Sequence, residues 1–339
     1  MMKRILLLGC IAAMIACTPT KQSTIDTTLQ TKVDSILQNK MSEIGAISGQ
    51  AIVMEVQTGE IKTMVGNGIS QESGLIRTAS LLAALETGKV KLSDTVDVGE
   101  GVYEIHNREL LDHNWHRGGY GKLTTLQGLM VNSHIANYKN IERAFTEEQA
   151  YFDMLNKMSY GQPENIEGLD SLKPVHFVTP NDSGWSNTSL AWFCIGYNQQ
   201  ISPIQMLTFY NAIANEGKMV KPTLYKGETE VINPQIASKA NIDSLQMALV
   251  KVVTEGLGKP AQSEKVQVAG VSGGSQISTD EDNSEGRVNT IYSVEYCGYF
   301  PAENPKYSII VSMNKVGLPA SGNLMAGSVF KEIVDYMSK

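Results

Sequence analysis

Apolar positions along this chain recur with two different periods, and the switches between them outline the elements. An apolar run, Ile5 to Ile15, follows Lys3 and Arg4 and stops at Ala16-Cys17. A polar, Thr/Gln/Lys-rich stretch over 18–46 carries Ile25, Leu29, Val33, Ile36 and Leu37 at helical spacing, which predicts a short tether running into an amphipathic helix. Gln50 to Val56 is apolar and β-branched, Gln57-Thr58-Gly59-Glu60 is a turn, and Ile61 to Val65 returns, which predicts a β-hairpin. Thr78 to Glu86 is built of strong helix formers and stops before Gly88. Residues 124–160 read as mostly helical. Pro203 to Asn215 is a further helix, with proline near its start and Gly217 at its stop. Tyr296–Phe300 and Tyr307–Met313 read as strands joined by Pro301-Ala302-Glu303-Asn304-Pro305, and a helix from Leu324 to Met337 closes the chain. Strands at both ends with helices between predict an α+β domain. One antiparallel sheet is then built from both chain ends and flanked by helices, around a mainly helical central subdomain.

The first residues change the cellular picture. A positive start, a short apolar segment and a small residue before the cut describe a secretory signal over 1–16. A cysteine directly after that small residue resembles the end of a bacterial lipoprotein signal, so Cys17 is the expected lipidation site and 17–45 the anchored tether with its leading helix. Such a protein is held at the membrane by lipid and works on the extracytoplasmic, periplasmic side of a bacterial envelope. The chain has 339 residues, 28 basic and 35 acidic, with a net charge of −7 and no basic cluster. Nucleic acid is therefore not an expected partner. With Cys10 in the signal and Cys17 at the anchor, only Cys194 and Cys297 remain. That is too few for a disulfide scaffold, and spacing does not say whether the two pair. No metal-ligand spacing is present, and neither metal nor cofactor is expected.

Several segments, in order, carry a resemblance. AIVMEVQTGEIKTMV, SLLAALETGKV, GGYGKLTTLQGLMVNSHIANYKN, IGYNQQISPIQMLTFYNAIANEGKMVKPTL, VINPQIASKANIDSLQMALVKVVTEGLGKPAQ and GYFPAENPKYSIIVSM resemble successive parts of the transpeptidase domain of class B penicillin-binding proteins. The resemblance implies a β-lactamase/transpeptidase-like fold over 46–339. It also implies acyl-transfer chemistry. A serine at a helix start attacks a D-Ala-D-Ala carbonyl, and a lysine one turn on takes its proton, since residues i and i+3 share a helix face. A Ser-x-Asn motif lies across the site, and a Lys-Thr-Gly strand binds the peptide carboxylate and completes the oxyanion hole.

The residues of this chain depart from that pattern at all three motifs. Alignment on SLLAALE puts Gly74 at the serine and Arg77 at the lysine, and an arginine does not give up its proton. Asn132-Ser133-His134 stands at the second motif and Val271-Ser272-Gly273-Gly274 at the third. No intact catalytic set is expected. The residues left as candidate ligand contacts are Arg77, Ser133, His134, Ser272, Gly273 and Gly274. Ser312-Met313-Asn314-Lys315 and Ser321-Gly322-Asn323 match the motifs formally, but the first lies in a predicted strand, where i and i+3 face apart. Ser73 has Ile76 at i+3, and Cys194 shows no base beside it. His113, Trp115, His116 and Tyr120 sit near the second motif, and Asp280 to Glu285 form an acidic hairpin tip after the third. Two functions follow. One is a pseudoenzyme that binds a peptidoglycan stem peptide or another envelope protein. The other is an active acyl-serine D,D-transpeptidase or carboxypeptidase with a relocated nucleophile.

Overall fold

The apolar runs nearest the two ends of the chain lie side by side. The computed structural model describes residues 21–227, 229–277 and 290–339. The signal segment with Cys17 and the acidic stretch Asp280 to Glu285 lie outside the described residues. Five strands form the main sheet: β1 (Ala46–Glu55), β2 (Ile61–Gly66), β3 (Ala269–Ile277), β4 (Ile291–Phe300) and β5 (Tyr307–Val316). Their order is β3-β4-β5-β1-β2, and each neighbouring pair is antiparallel. The first strand of the chain thus pairs with the last, with Val53 opposite Ile309.

The sheet is covered on both faces, and the alternation along β1 shows how. Ala51 and Val53 join one core with Leu29, Val33 and Leu37 of α1 (Thr27–Ile44) and with Phe330 and Ile333 of the closing helix. Ile52 and Met54 join the other core, with the helical part of the molecule. Burial on both faces also explains why β4 and β5 run longer than the apolar pattern predicts. Ser293, Glu295, Ser312 and Asn314 are buried strand residues, and a reading of hydrophobic period does not count polar ones.

Helix ends follow local chemistry. Asp26 caps α1 by accepting from the Leu29 N–H, and Gly45, at φ 64°, ends it in the left-handed region. The second helix, α2 (Ile76–Glu86), has every residue from Ile76 to Leu85 buried and is the axis of the larger core. The stretch after it breaks into α3 (Thr125–Met130), α4 (His134–Ala144) and α5 (Glu148–Lys157). Then come a five-residue helix, Ser189–Phe193, and α6 (Pro203–Ala214), which opens with a Ser202/Gln205 capping box and proline in its first turn. Two more helices, α7 (Lys239–Thr254) and α8 (Ala326–Met337), complete the chain, α8 against β4 and β5. Among the described residues no helix is long and apolar enough to cross a membrane.

Candidate functional site

The start of α2 meets the edge strand β3, and here the residues that the resemblance puts at the three motifs come together. Gly74 leads into α2. A Cβ built on it would fall 2.6 Å from the Gly274 carbonyl oxygen, 2.9 Å from the Gly274 nitrogen and 2.9 Å from an Arg77 guanidinium nitrogen. Two of those neighbours are backbone and cannot swing away. From the other side, Gly196 packs so closely on the Ser73–Gly74 peptide that its own Cβ would lie 2.7 Å from the Gly74 nitrogen. The corner at Gly74 is therefore closed by main chain.

Arg77, one turn on, is 4% exposed. Its Nε donates to Asn132 Oδ1 at 2.9 Å, and its terminal nitrogens donate to the carbonyls of Ile195 and Ser272, each at 3.5 Å. All three acceptors are neutral. Among the described residues no carboxylate forms an ion pair with it. Burial lowers its proton affinity below the usual guanidinium value, an effect that the nearby Glu295 and Asp112 partly oppose. It remains a cation. Asn132, held at φ 60° just before α4, also reaches Ser272 with its amide, 3.5 Å from both the carbonyl and the hydroxyl. First, second and third motif positions are tied to one another.

The outer edge of β3 is occupied in part from within. The Ser272 carbonyl accepts from Arg77 and Asn132, the Gly274 peptide faces Gly74, and the Gln276 N–H donates to the Tyr197 hydroxyl at 3.3 Å. Val271, at the position the resemblance gives to lysine, is 3% exposed and packs in the larger core. Ser133 is turned inward: its hydroxyl caps α4 at Ala136 N and donates to Asp112 Oδ2 at 2.7 Å. The His134 ring bonds through Nδ1 to the Leu111 carbonyl at 3.0 Å. Burial, with Arg77 nearby, pushes its pKa down to about 3, so the ring is neutral.

Outside this closed corner a groove of about 860 Å³ opens along β3. Arg77, Asn132, His134, Ser272, Gly273 and Gly274 reach its wall, and so do Arg117, Lys259, Leu257, Leu318 and Leu324, none of which the sequence singles out. Among the described residues no Asp or Glu lines it, although the chain is acidic overall. His113 stands in the wall, bonded to the Tyr120 hydroxyl and near the Val131 carbonyl, while Trp115 beside it is exposed.

Under β3, on the α2 side of the sheet, lies a polar cluster that the sequence reading also missed. Ser73 donates to Glu295 Oε2 at 2.6 Å, and Ser312 lies 3.4 Å from the other carboxyl oxygen. Gln71 joins Ser293, Ser312 and Asn314. Glu295 sits opposite Gly273, whose missing side chain leaves room for the carboxyl. Burial pushes its pKa up to about 7. Ser73 and Glu295 are each 2% exposed and neither lines the groove. The signal for Glu295 was a lone acid inside the apolar run VEYCGYF.

The other formal matches have structural roles. Lys315 donates to the carbonyls of Val316, Gly317 and Pro319, away from Ser312. The Ser321 hydroxyl accepts from the Leu324 N–H. Cys194 is fully buried, its thiol pushed up to about 12, and it and Cys297 are both free thiols.

Comparison with known proteins agrees with this architecture. Penicillin-binding protein PbpB of Mycolicibacterium smegmatis is 24% identical over 94% of this chain and 54% of its own length. Peptidoglycan D,D-transpeptidase FtsI of Escherichia coli is 22% identical over 90% and 53%. The chain thus spans about half the length of the curated relatives it matches. Among solved structures, the apo transpeptidase domain of Burkholderia pseudomallei penicillin-binding protein 3 shares the fold with a TM-score of 0.78, at 22% identity over 92% of this chain and 94% of that one. A Burkholderia ambifaria structure described as a peptidoglycan glycosyltransferase gives 0.79, at 20% identity over 93% and 96%. The penicillin binding protein transpeptidase domain matches residues 49–335, and the chain belongs to that family.

Proposed function

We propose that this protein is a non-catalytic member of its family, a lipid-anchored envelope scaffold that holds a peptidic ligand without cleaving it. The observation that carries the reading is the closed corner: a side chain at position 74 would meet the Gly274 backbone at 2.6 Å. Nucleophilic catalysis needs a hydroxyl there and a base in reach, and Gly74 with Arg77 offers neither. Arg77 is instead a buried cation among neutral acceptors, an arrangement that favours an anionic group arriving from the groove. A peptide carboxylate, from a peptidoglycan stem peptide or from another envelope protein, has that chemistry. Cys17, following the small residue of the signal, is the anchor in this reading.

Labelling with a fluorescent penicillin tests it. The protein is expected to stay dark, and a covalent band surviving denaturation would overturn the proposal. For the anchor, Cys17→Ser is expected to abolish palmitate incorporation, and label retained by that variant would exclude Cys17.

One observation favours the alternative, an acyl-serine enzyme with a relocated nucleophile. Ser73 Oγ lies 2.6 Å from a carboxyl with a pKa of about 7, which is a suitable base. The pair is sealed beneath β3, however, and a substrate in the groove has no path to it without displacing the strand. Adduct formation at Ser73 is the outcome specific to this alternative.

A further inference from the structure

We propose that the groove along β3 docks an extended segment of another protein that carries leucine-type side chains next to carboxylates. This rests on the reading of the domain as non-catalytic and names the partner for the same cleft. Three observations converge on that chemistry. First, Leu318 is 73% exposed, Leu324 65% and Leu257 39%, all on the groove wall. Scattered exposed leucines are ordinary, but a group of them around one concave surface marks a place where something apolar sits. Secondly, Arg117 and Lys259 are exposed on the same wall, from segments far apart in sequence, and form no ion pair among the described residues. Arg77 lies deeper with only neutral acceptors. With no acidic side chain on the wall among the described residues, the groove is a positive strip on an acidic protein, and an acidic ligand is drawn to it and oriented by it.

Thirdly, part of the main chain on the edge of β3 is already engaged within the molecule. Arg77 and Asn132 hold the Ser272 carbonyl, and Tyr197 holds the Gln276 N–H. The exposed leucines and cations of the wall then carry much of the recognition, which favours a ligand rich in apolar and acidic side chains. A stem peptide presented for acyl transfer would need the Gly74 corner, and that corner is filled by backbone.

The test uses the full mature chain and three fluorescein-labelled synthetic peptides of equal length, built of Leu, Glu and Ser, of Leu, Lys and Ser, and of Glu and Ser. Fluorescence anisotropy is read at low and high salt. The Leu/Glu/Ser peptide is expected to bind at least about tenfold more tightly than either control, and more weakly as salt screens the charges. Arg117→Glu with Lys259→Glu is expected to abolish that binding and to transfer the preference to the Leu/Lys/Ser peptide. Because both residues are exposed, the rescue shows that the variant is folded. Leu318→Ser with Leu324→Ser is expected to weaken binding without changing the charge preference. Equal affinity for the acidic and basic peptides, or no binding to any of them, would overturn the proposal. So would binding seen only after Asp280, Glu281, Asp282 and Glu285 are replaced by their amides, which would make the chain's own acidic segment the occupant. A penicilloyl adduct overturns the non-catalytic reading beneath, whereas peptide silence without an adduct overturns this inference alone.

Discussion

The corner at Gly74 and the groove beyond Arg77 are neighbours on one strand, yet they are built on opposite terms. At the corner, main chain meets main chain. Gly74 faces the Gly274 peptide, Gly196 seals the back, and polar groups are held by other parts of the same molecule. In the groove, cations lack anions among the described residues, and leucines stand in solvent. The first pattern is that of a protein interior and the second that of an interface awaiting its other half. In the proposed reading, the first region no longer supports a reaction and the second serves binding.

The largest effect that separates the two regions is expected at the corner. Gly74→Ser forces backbone apart and should destabilise the protein by roughly 1–3 kcal/mol, as overpacking does, without yielding penicillin acylation. Thermal melting and penicillin labelling of the variant check both parts, and a serine accommodated at no loss of stability would show the corner to be open. The ionisable groups on either side are expected to act on the pH dependence of stability. Glu295 has its carboxyl raised to about 7 from an ordinary 4.5, so the folded state holds its proton where the unfolded chain has lost it. Its contribution to stability is present below pH 4.5 and falls away as pH rises to about 7. Glu295→Gln should flatten that part of the stability–pH curve and leave the variant relatively more stable at pH 8, as urea denaturation at several pH values would show.

His134 works in the other direction. Its pKa falls from 6.5 to about 3, so its contribution is present above pH 6.5 and is lost as pH falls towards 3. His134→Gln should make the protein less sensitive to acid over that window, and an unchanged acid limb would place the ring elsewhere. The smallest effect belongs to the groove. Leu318→Ser with Leu324→Ser should change stability by under about 0.5 kcal/mol per site, because exposed side chains lose little on replacement. A large destabilisation would mean that these leucines are core residues and the groove is closed.

The scaffold was legible because it is written in local periods. The hairpin, the final strands and the helices at 78–86 and 203–215 lie where apolar spacing and caps put them, and the pairing of first and last strands follows from their apolar character. Order along the chain also brings Gly74, Arg77, Asn132 and His134 to one corner with β3, whereas Val271 is buried in the core. What these residues do was not legible. Arg77 acts through Asn132, Ile195 and Ser272, up to 195 positions away, and Glu295 reaches Ser73 across 222. Ser133 is the instructive case. The resemblance placed it among ligand contacts, whereas its own chemistry, a serine just before a helix, marks it as the N-cap it is. The groove was hidden for the same reason as Glu295: Arg117, Lys259, Leu318 and Leu324 come from segments that only the folded sheet brings together.

We propose that this transpeptidase-family domain does not carry out acylation. Intact-mass spectrometry of the mature protein after incubation with excess penicillin tests it most directly. The account predicts an unchanged mass for the unmodified protein, because position 74 carries no nucleophile and Arg77 accepts no proton. A penicilloyl mass increment, mapped by peptide digestion to Ser73 or to any other residue, would contradict it.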